Sequence, residues 1–110
     1  AKEEEEAEKL IEDALYLEKA GCFAIVLEKV PATLAKKVAE KLTIPVIGIG
    51  AGNGVDGQVL VIHDLLGMTH EFNPRFLRRY LDLHDLMMGA ISQYVTDVKS
   101  RDFPNDSEQY

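Results

Sequence analysis

The sequence predicts an α/β fold built on a short parallel β-sheet. Three apolar runs with the letters FAIVL, IPVIGIG and QVLVI alternate with segments whose apolar residues recur at helical spacing. Strands that alternate with helices are typical of βαβ units, and a continuous apolar run is typical of a parallel strand covered on both faces. Three parallel strands would leave two sheet edges unpaired, so the pattern is that of part of a larger sheet.

The first predicted element is a helix that ends at Gly21. The carboxylates of residues 3–6 lie at its amino end, where the helix dipole favours negative charge. Glycine is the residue that most readily takes the left-handed conformation that stops a helix. The positions predicted to form the buried face are Leu10, Ile11, Ala14, Leu15 and Leu17.

The first predicted strand, residues 23–27, ends abruptly on Glu28. Pro31 suits the first turn of the next helix, because the N–H that proline lacks has no partner there. The inner face predicted for this second helix is Leu34, Ala35, Val38 and Leu42.

Two further strands are predicted at residues 44–49 and 58–62, with a glycine-rich connection between them. The third strand runs into His63 and Asp64. If the sheet is part of a larger fold, we expect Ile25, Leu27, Ile47 and Val61 to be inner side chains left without a facing half.

The remainder of the chain is predicted to be helical up to a tail. Residues 73–100 carry apolar positions at helical spacing and form one long helix or two helices broken near residues 82–85. Residues 102–110 lack periodicity, and we expect an extended tail there. The whole chain, 1–110, is predicted to be a single part of one fold.

Composition excludes several classes of function. Lys plus Arg is 12 and Asp plus Glu is 19, a net charge of −7, which argues against nucleic acid or an anionic membrane as partner. The sole cysteine, Cys22, cannot form an internal disulfide. No apolar run reaches the length of a membrane span, and no secretory signal is present, so we expect a cytoplasmic protein.

Three groups of residues follow the predicted strands, and ligands bind at the carboxyl ends of strands in parallel α/β folds. The groups are Glu28, the stretch from Gly48 through Gly50 to Gly52, and the pair His63 and Asp64. We expect them to share one rim. Each group has an alternative role: Glu28 could simply begin a solvated loop, and the glycines could serve the turn alone. His63 could pack, and Asp64 could cap a helix that begins at Leu65.

Longer stretches of the sequence closely resemble the carboxyl-terminal portion of the ketopantoate hydroxymethyltransferase family. They are FAIVLEKVP, IPVIGIGAGNGVDGQVLVIHDLLGMT, PRFLRRYLDL and DFPNDSEQY. The resemblance implies a (β/α)₈ TIM barrel, of which this chain would supply about the last three β/α units and the carboxyl-terminal helices.

The resemblance also implies a reaction in pantothenate and coenzyme A biosynthesis. A one-carbon unit passes from 5,10-methylenetetrahydrofolate to 3-methyl-2-oxobutanoate, giving ketopantoate, with Mg²⁺ as cofactor and a homo-oligomer as the assembly. The general base of the family maps onto Glu28. A rigid strand end with apolar neighbours favours proton transfer by a carboxylate near neutral pH.

A complete barrel takes about 250 residues, so the chain is expected to be a fragment. The metal ligands of the family have no match here, and no metal ligand is predicted in this chain. Glu28, Asp56 and Asp64 are not expected to bind Mg²⁺ tightly. Alone, the chain is expected to be inactive. The alternatives are an inactive α/β fragment that associates with copies of itself or with the missing half, and a small module that binds an anion with the glycine-rich loop.

Overall fold

The computed structural model describes residues 2–71 and 73–110. Their elements, in chain order, are α1 Lys2–Lys19, β1 Ile25–Glu28, α2 Ala32–Lys41, β2 Val46–Ile49, β3 Gly57–Gln58, α3 Ile62–Leu65, α4 Leu83–Lys99 and a 3₁₀ turn at Asp106–Glu108. The chain divides into two compact units, Ala1–Leu60 and Val61–Tyr110. None of the helices in the described ranges is both long and apolar enough to cross a membrane.

The first unit contains the predicted parallel sheet, in the order β1-β2-β3. In β1 and β2 the register runs from Ile25 opposite Val46 to Glu28 opposite Ile49, whereas β3 pairs only Gly57 and Gln58 with β2. The α/β class and the parallel strands are therefore confirmed, but the third strand is much shorter than the predicted 58–62.

The core lies on one face of this sheet. Its buried side chains come from α1, α2 and the residue that caps α2, β1, β2 and the loop after β2: Ala14, Ile25, Leu27, Ala35, Val38, Leu42, Val46 and Ala51. On the opposite face of β1, Val26 is 60% exposed. The prediction that both faces of the strands are covered is therefore wrong for this chain. The prediction that Ile25 and Leu27 lie on the open face is also wrong. An apolar run shows that both faces are apolar but not which one the helices cover.

Helix α1 ends as predicted. Gly21 has a φ of +106°, and the N–H groups of Gly21 and Cys22 donate to the carbonyls of Glu18 and Leu17. These two hydrogen bonds form the motif that commonly closes a helix at glycine. The predicted face is too wide, since Leu15 is 40% exposed and only Ala14, with Leu10 and Ile11 partly buried, reaches the core. Leu17, which is 47% exposed, lies in the last turn, beyond that contact.

One carboxylate ties the end of α1 to the start of β2. The side chain of Glu18 accepts hydrogen bonds from the Thr43 N–H at 2.6 Å, the Thr43 hydroxyl at 3.0 Å and the Ile44 N–H at 3.1 Å. The bond from the Thr43 backbone is the largest of the effects that lower the pKa of Glu18. The ionised carboxylate thus satisfies backbone donors that precede β2.

The glycine-rich connection between β2 and β3 is unusually short. It spans only residues 50–56, whereas a parallel crossover commonly takes a dozen or more residues and a helix. Gly50 and Gly52 have φ values of +66° and +79°, which glycine adopts without strain. A Cβ at Gly52 would lie 2.5 Å from Ala32 Cβ, and one at Gly54 would lie 3.0 Å from Lys36 Cβ. The loop therefore lies directly on one face of α2.

Substitution by alanine is expected to have opposite effects on stability at a glycine packed against α2 and at a glycine with open space around it. Gly52→Ala should destabilise the chain by about 2–4 kcal/mol, because the methyl group collides with Ala32 and the backbone is left-handed. Gly89→Ala should stabilise it by about 0.5–1 kcal/mol, because Gly89 lies inside α4 with no atom within 4 Å of an added Cβ. Urea unfolding followed by far-ultraviolet circular dichroism measures both. Equal stability of the two variants would contradict the packing of the loop on α2.

The second unit contains the remaining helices. Helix α4 begins at Leu83, so the predicted helical segment 73–100 is wrong before that residue. Its amino end is held by the N–H groups of Leu83 and His84, which donate to the carbonyls of Leu66 and Gly67. The side chains of α4 that lie exposed include Leu86, Ile91, Tyr94, Val95 and Val98.

The predicted extended tail, 102–110, contains one ordered turn. Asn105 accepts a hydrogen bond from the Ser107 N–H, and Glu108 accepts one from the Asn105 N–H, which together cap the 3₁₀ turn. Ahead of the turn, the Phe103 ring packs edge-on against Tyr94 at 5.7 Å between centroids. This part of the chain is ordered by local capping hydrogen bonds and one aromatic contact, neither of which produces a periodic sequence pattern.

Candidate functional site

Glu28 is the last residue of β1, as predicted. It pairs in register with Ile49, and the N–H of the next residue, Lys29, donates to the Ile49 carbonyl at 2.9 Å. Lys29 has a φ of +53°, a left-handed conformation that is uncommon outside glycine. The backbone thus turns sharply after Glu28 while it stays fixed to β2. Non-glycine residues in this conformation cluster at functional sites, so the turn at Lys29 is consistent with a functional role for the neighbouring Glu28.

The side chain of Glu28 projects from the open face of the sheet. Alternate residues of a strand point to the same side, so Glu28 shares its face with Val26. Their register partners Ile47 and Ile49 are half-buried beside them. The carboxylate itself is exposed and is not enclosed by the apolar neighbours that the sequence led us to expect. It stands at the carboxyl edge of an apolar surface that the described residues of the first unit leave partly exposed.

The stretch from Gly48 to Gly52 lies at the same carboxyl edge, because β1 and β2 are parallel and in register. Both ends of this stretch are occupied by contacts within the chain. A Cβ at Gly48 would lie 3.0 Å from a methyl group of Val55, and the Gly52 carbonyl accepts a hydrogen bond from the Gln58 side chain at 2.8 Å. The turn and its packing account for these glycines, and ligand binding by Gly48, Gly50 and Gly52 stays a prediction.

His63 and Asp64 do not follow a strand, so their predicted position at a strand end is wrong. Both lie in α3, which begins at Ile62 in the second unit. The Val61 carbonyl accepts hydrogen bonds from the N–H groups of Asp64 and Leu65, and this helical turn replaces the end of the predicted strand. Asp64 therefore does not cap a helix that begins at Leu65, and His63 is exposed rather than packed.

The oxygens considered for Mg²⁺ do not assemble around Glu28. The Asp56 carboxylate accepts a hydrogen bond from the Val46 N–H at 2.8 Å, which places it at the amino end of β2, the opposite end from Glu28. Asp64 belongs to the other unit. Mg²⁺ requires a near-octahedral set of oxygens. Over residues 2–71 and 73–110, no group of three potential ligands includes Glu28, so these residues do not fit a magnesium site.

A different group of ionisable side chains was not anticipated from the sequence. His70, Asp82, His84 and Asp85 come together in the second unit. The letters LHD at the start of α4 are a weak local signal. The contribution of His70, from a loop twelve residues ahead of Asp82, depends on the fold.

Comparisons with known proteins match the chain over almost its whole length. The family model described as ketopantoate hydroxymethyltransferase matches residues 1–106. Proteins named 3-methyl-2-oxobutanoate hydroxymethyltransferase are 77% identical in Christiangramia forsetii, 74% in Flavobacterium johnsoniae and 70% in Bacteroides thetaiotaomicron. Each match covers all of this chain but only 40% of the relative, so the chain spans well under half the length of the relatives it matches.

Proposed function

The chain belongs to the ketopantoate hydroxymethyltransferase family, and we propose that it is the base-bearing segment of an enzyme that makes ketopantoate. The intact enzyme would transfer a one-carbon unit from 5,10-methylenetetrahydrofolate to 3-methyl-2-oxobutanoate. The observation that carries this proposal is the position of Glu28, at the carboxyl end of a strand and on the uncovered face of a parallel sheet.

The uncovered face is what a segment of a (β/α)₈ barrel would have. In such a barrel the helices cover the outer face of the strands, and the inner faces pack against one another. Here α1 and α2 contribute to the core on the face of Ile25 and Leu27, while Val26 and Glu28 point the other way. The inner face would be closed by strands from the rest of the protein. The carboxyl-terminal position of the segment in that protein stays a prediction.

In this arrangement Glu28 acts as the general base. Its carboxylate takes the proton from C3 of the keto acid, and the electron pair of the broken C–H bond forms the enolate. Water releases the one-carbon unit from the two folate nitrogens at the oxidation level of formaldehyde, and tetrahydrofolate leaves with a proton on each nitrogen. The enolate carbon then attacks that carbon, and the alkoxide oxygen that forms takes the proton back from Glu28. The hydrogen bond from Lys29 to β2 holds the strand end in place, which positions the carboxylate for the transfer. The described residues supply no magnesium site near Glu28, so the Mg²⁺ that the family resemblance implies would be held by ligands from the rest of the enzyme.

The anion-binding module receives less support. Backbone N–H groups of a glycine-rich loop can cradle an anion when they are free to face it. Gly52 and Gly54 lie against α2, and Gln58 binds the Gly52 carbonyl. The loop is accounted for by its role as a short crossover.

A chimeric enzyme tests the proposal. This chain would replace the matched 40% of the Christiangramia forsetii relative. We expect ketopantoate formation within about tenfold of the relative's own rate, a change of about 1.4 kcal/mol in the barrier. We expect none from the 110-residue chain alone, which lacks the rest of the barrel. The measurement is product formation from 3-methyl-2-oxobutanoate and methylenetetrahydrofolate. A folded chimera without activity, or an active isolated chain, would contradict the proposal.

A further inference from the structure

Four ionisable side chains converge at the amino end of α4, outside the proposed catalytic site. His70 lies ahead of the helix, Asp82 immediately precedes it, and His84 and Asp85 lie in its first turn. The His70 Nε2 atom is 3.0 Å from an Asp82 oxygen and 3.4 Å from an Asp85 oxygen. The His84 Nδ1 atom is 3.4 Å from the same Asp85 oxygen. The proposed reaction uses none of these groups.

The spacing of these atoms matches that of a tetrahedral metal site. His70 Nε2, His84 Nδ1 and Asp85 Oδ1 all lie within 4.8 Å of one another. Zinc binds nitrogen and carboxylate oxygen at about 2.0–2.2 Å, so neighbouring ligand atoms of a tetrahedron are about 3.3–3.6 Å apart. The two distances of 3.4 Å to Asp85 fall in that interval. Metal binding would therefore need little movement of these side chains.

The backbone around the cluster is fixed by contacts that do not involve the four side chains. The N–H of His84 donates to the Gly67 carbonyl at 2.9 Å, which holds the first turn of α4. The Arg79 side chain donates to the Thr69 carbonyl at 2.8 Å, next to His70. The histidine rings lie 4.0 Å apart between centroids. The ligands are thus brought together before any ion binds.

The charges suit a divalent cation. Asp82 and Asp85 place two carboxyl groups beside the two imidazole rings. Imidazole nitrogens favour zinc, cobalt, nickel and copper, whereas magnesium prefers oxygen ligands throughout.

We propose that His70, His84 and Asp85 bind a divalent transition-metal ion of the zinc type. The ion would join His70 to the first turn of α4. With His70 45% exposed and Asp85 65% exposed at their side chains, the site is open to solvent and can load directly from it. The role is structural, and it revises the expectation that the chain contains no metal ligands.

Cobalt is the probe that tests this site. The 110-residue chain carrying Cys22→Ser, which removes its one thiol, is titrated with Co²⁺ and then with Zn²⁺. We expect one Co²⁺ per chain with the strong visible absorption of tetrahedral cobalt, displaced by Zn²⁺ and not by Mg²⁺. His70→Gln and His84→Gln should each weaken binding at least about tenfold. The matched control is His63→Gln, which removes the histidine of this unit that lies outside the cluster and should change nothing.

The unmutated chain offers a second measurement that does not depend on the folding of variants. Addition of Zn²⁺ should shift the ring resonances of His70 and His84 in nuclear magnetic resonance spectra and leave those of His63 in place. Absence of stoichiometric Co²⁺ binding would overturn the proposal. So would equal shifts of all three histidines, or undiminished binding after both cluster histidines are replaced.

Discussion

Replacement of Glu28 by glutamine in the chimeric enzyme is expected to abolish exchange of the C3 proton of 3-methyl-2-oxobutanoate with solvent. General bases typically contribute about 10²–10⁴-fold to a rate, so the loss should lie in that range. Glutamine has nearly the same shape but cannot accept the proton. Because Glu28 is exposed and outside the buried core, the fold should remain intact. Proton exchange is measured in deuterated water, without folate, so that only the first chemical step is observed.

Glu40→Gln is the matched control for this experiment. Glu40 is an exposed carboxylate on α2, in the same unit, and its loss changes the net charge equally. Exchange should proceed at the unaltered rate in that variant. If Glu28→Gln exchanged the proton as fast as the unaltered chimera, Glu28 would have no part in the proton transfer.

The elements that the sequence predicts well are those with strong local signals. Gly21 ends α1 because a left-handed residue is needed there, and the end of β1 at Glu28 follows from the change from apolar to charged residues. Both signals lie within a few residues of the boundary that they mark. The candidate base could be found from the sequence for the same reason.

The faces of the strands could not be predicted in this way. In the run from Ile25 to Leu27 every residue is apolar, so the pattern does not show which side α1 and α2 cover. The structure buries Ile25 and Leu27 and exposes Val26. The left-handed turn at Lys29 is likewise invisible in the sequence, because lysine seldom adopts it.

The third strand and the histidine cluster depend on contacts over longer distances. The run from Val59 to Ile62 is apolar enough for a strand, but the chain turns into α3 instead. His70 meets Asp82 and Asp85 because hydrogen bonds from the start of α4 to Leu66 and Gly67 fold the chain back. Periodicity within one element does not report on such contacts.

The open face of the sheet leads to a second large expected effect: the isolated 110-residue chain should self-associate. Val26 is 60% exposed there, with Ile47 and Ile49 half-buried beside it. Full burial of one aliphatic side chain contributes about 1.5–3 kcal/mol, while a small domain is stable by only about 5–15 kcal/mol. A second copy that covers this face would recover part of that energy. Sedimentation equilibrium at micromolar concentration should show a dimer or a larger species.

Val26→Lys should convert this species to a monomer, because association would then bury an unpaired charge. Val26 lies outside the core, so the substitution should leave the sheet folded. The matched control is Ile91→Lys on α4, since Ile91 is 59% exposed and belongs to the other unit. If only Ile91→Lys converted the associated species to a monomer, the contact between copies would lie on α4 and not on the sheet. A monodisperse monomer of the unaltered chain with cooperative unfolding would mean that the first unit is stable with one face of its sheet in water. The chain would then need no partner to cover that face, and the prediction would be wrong.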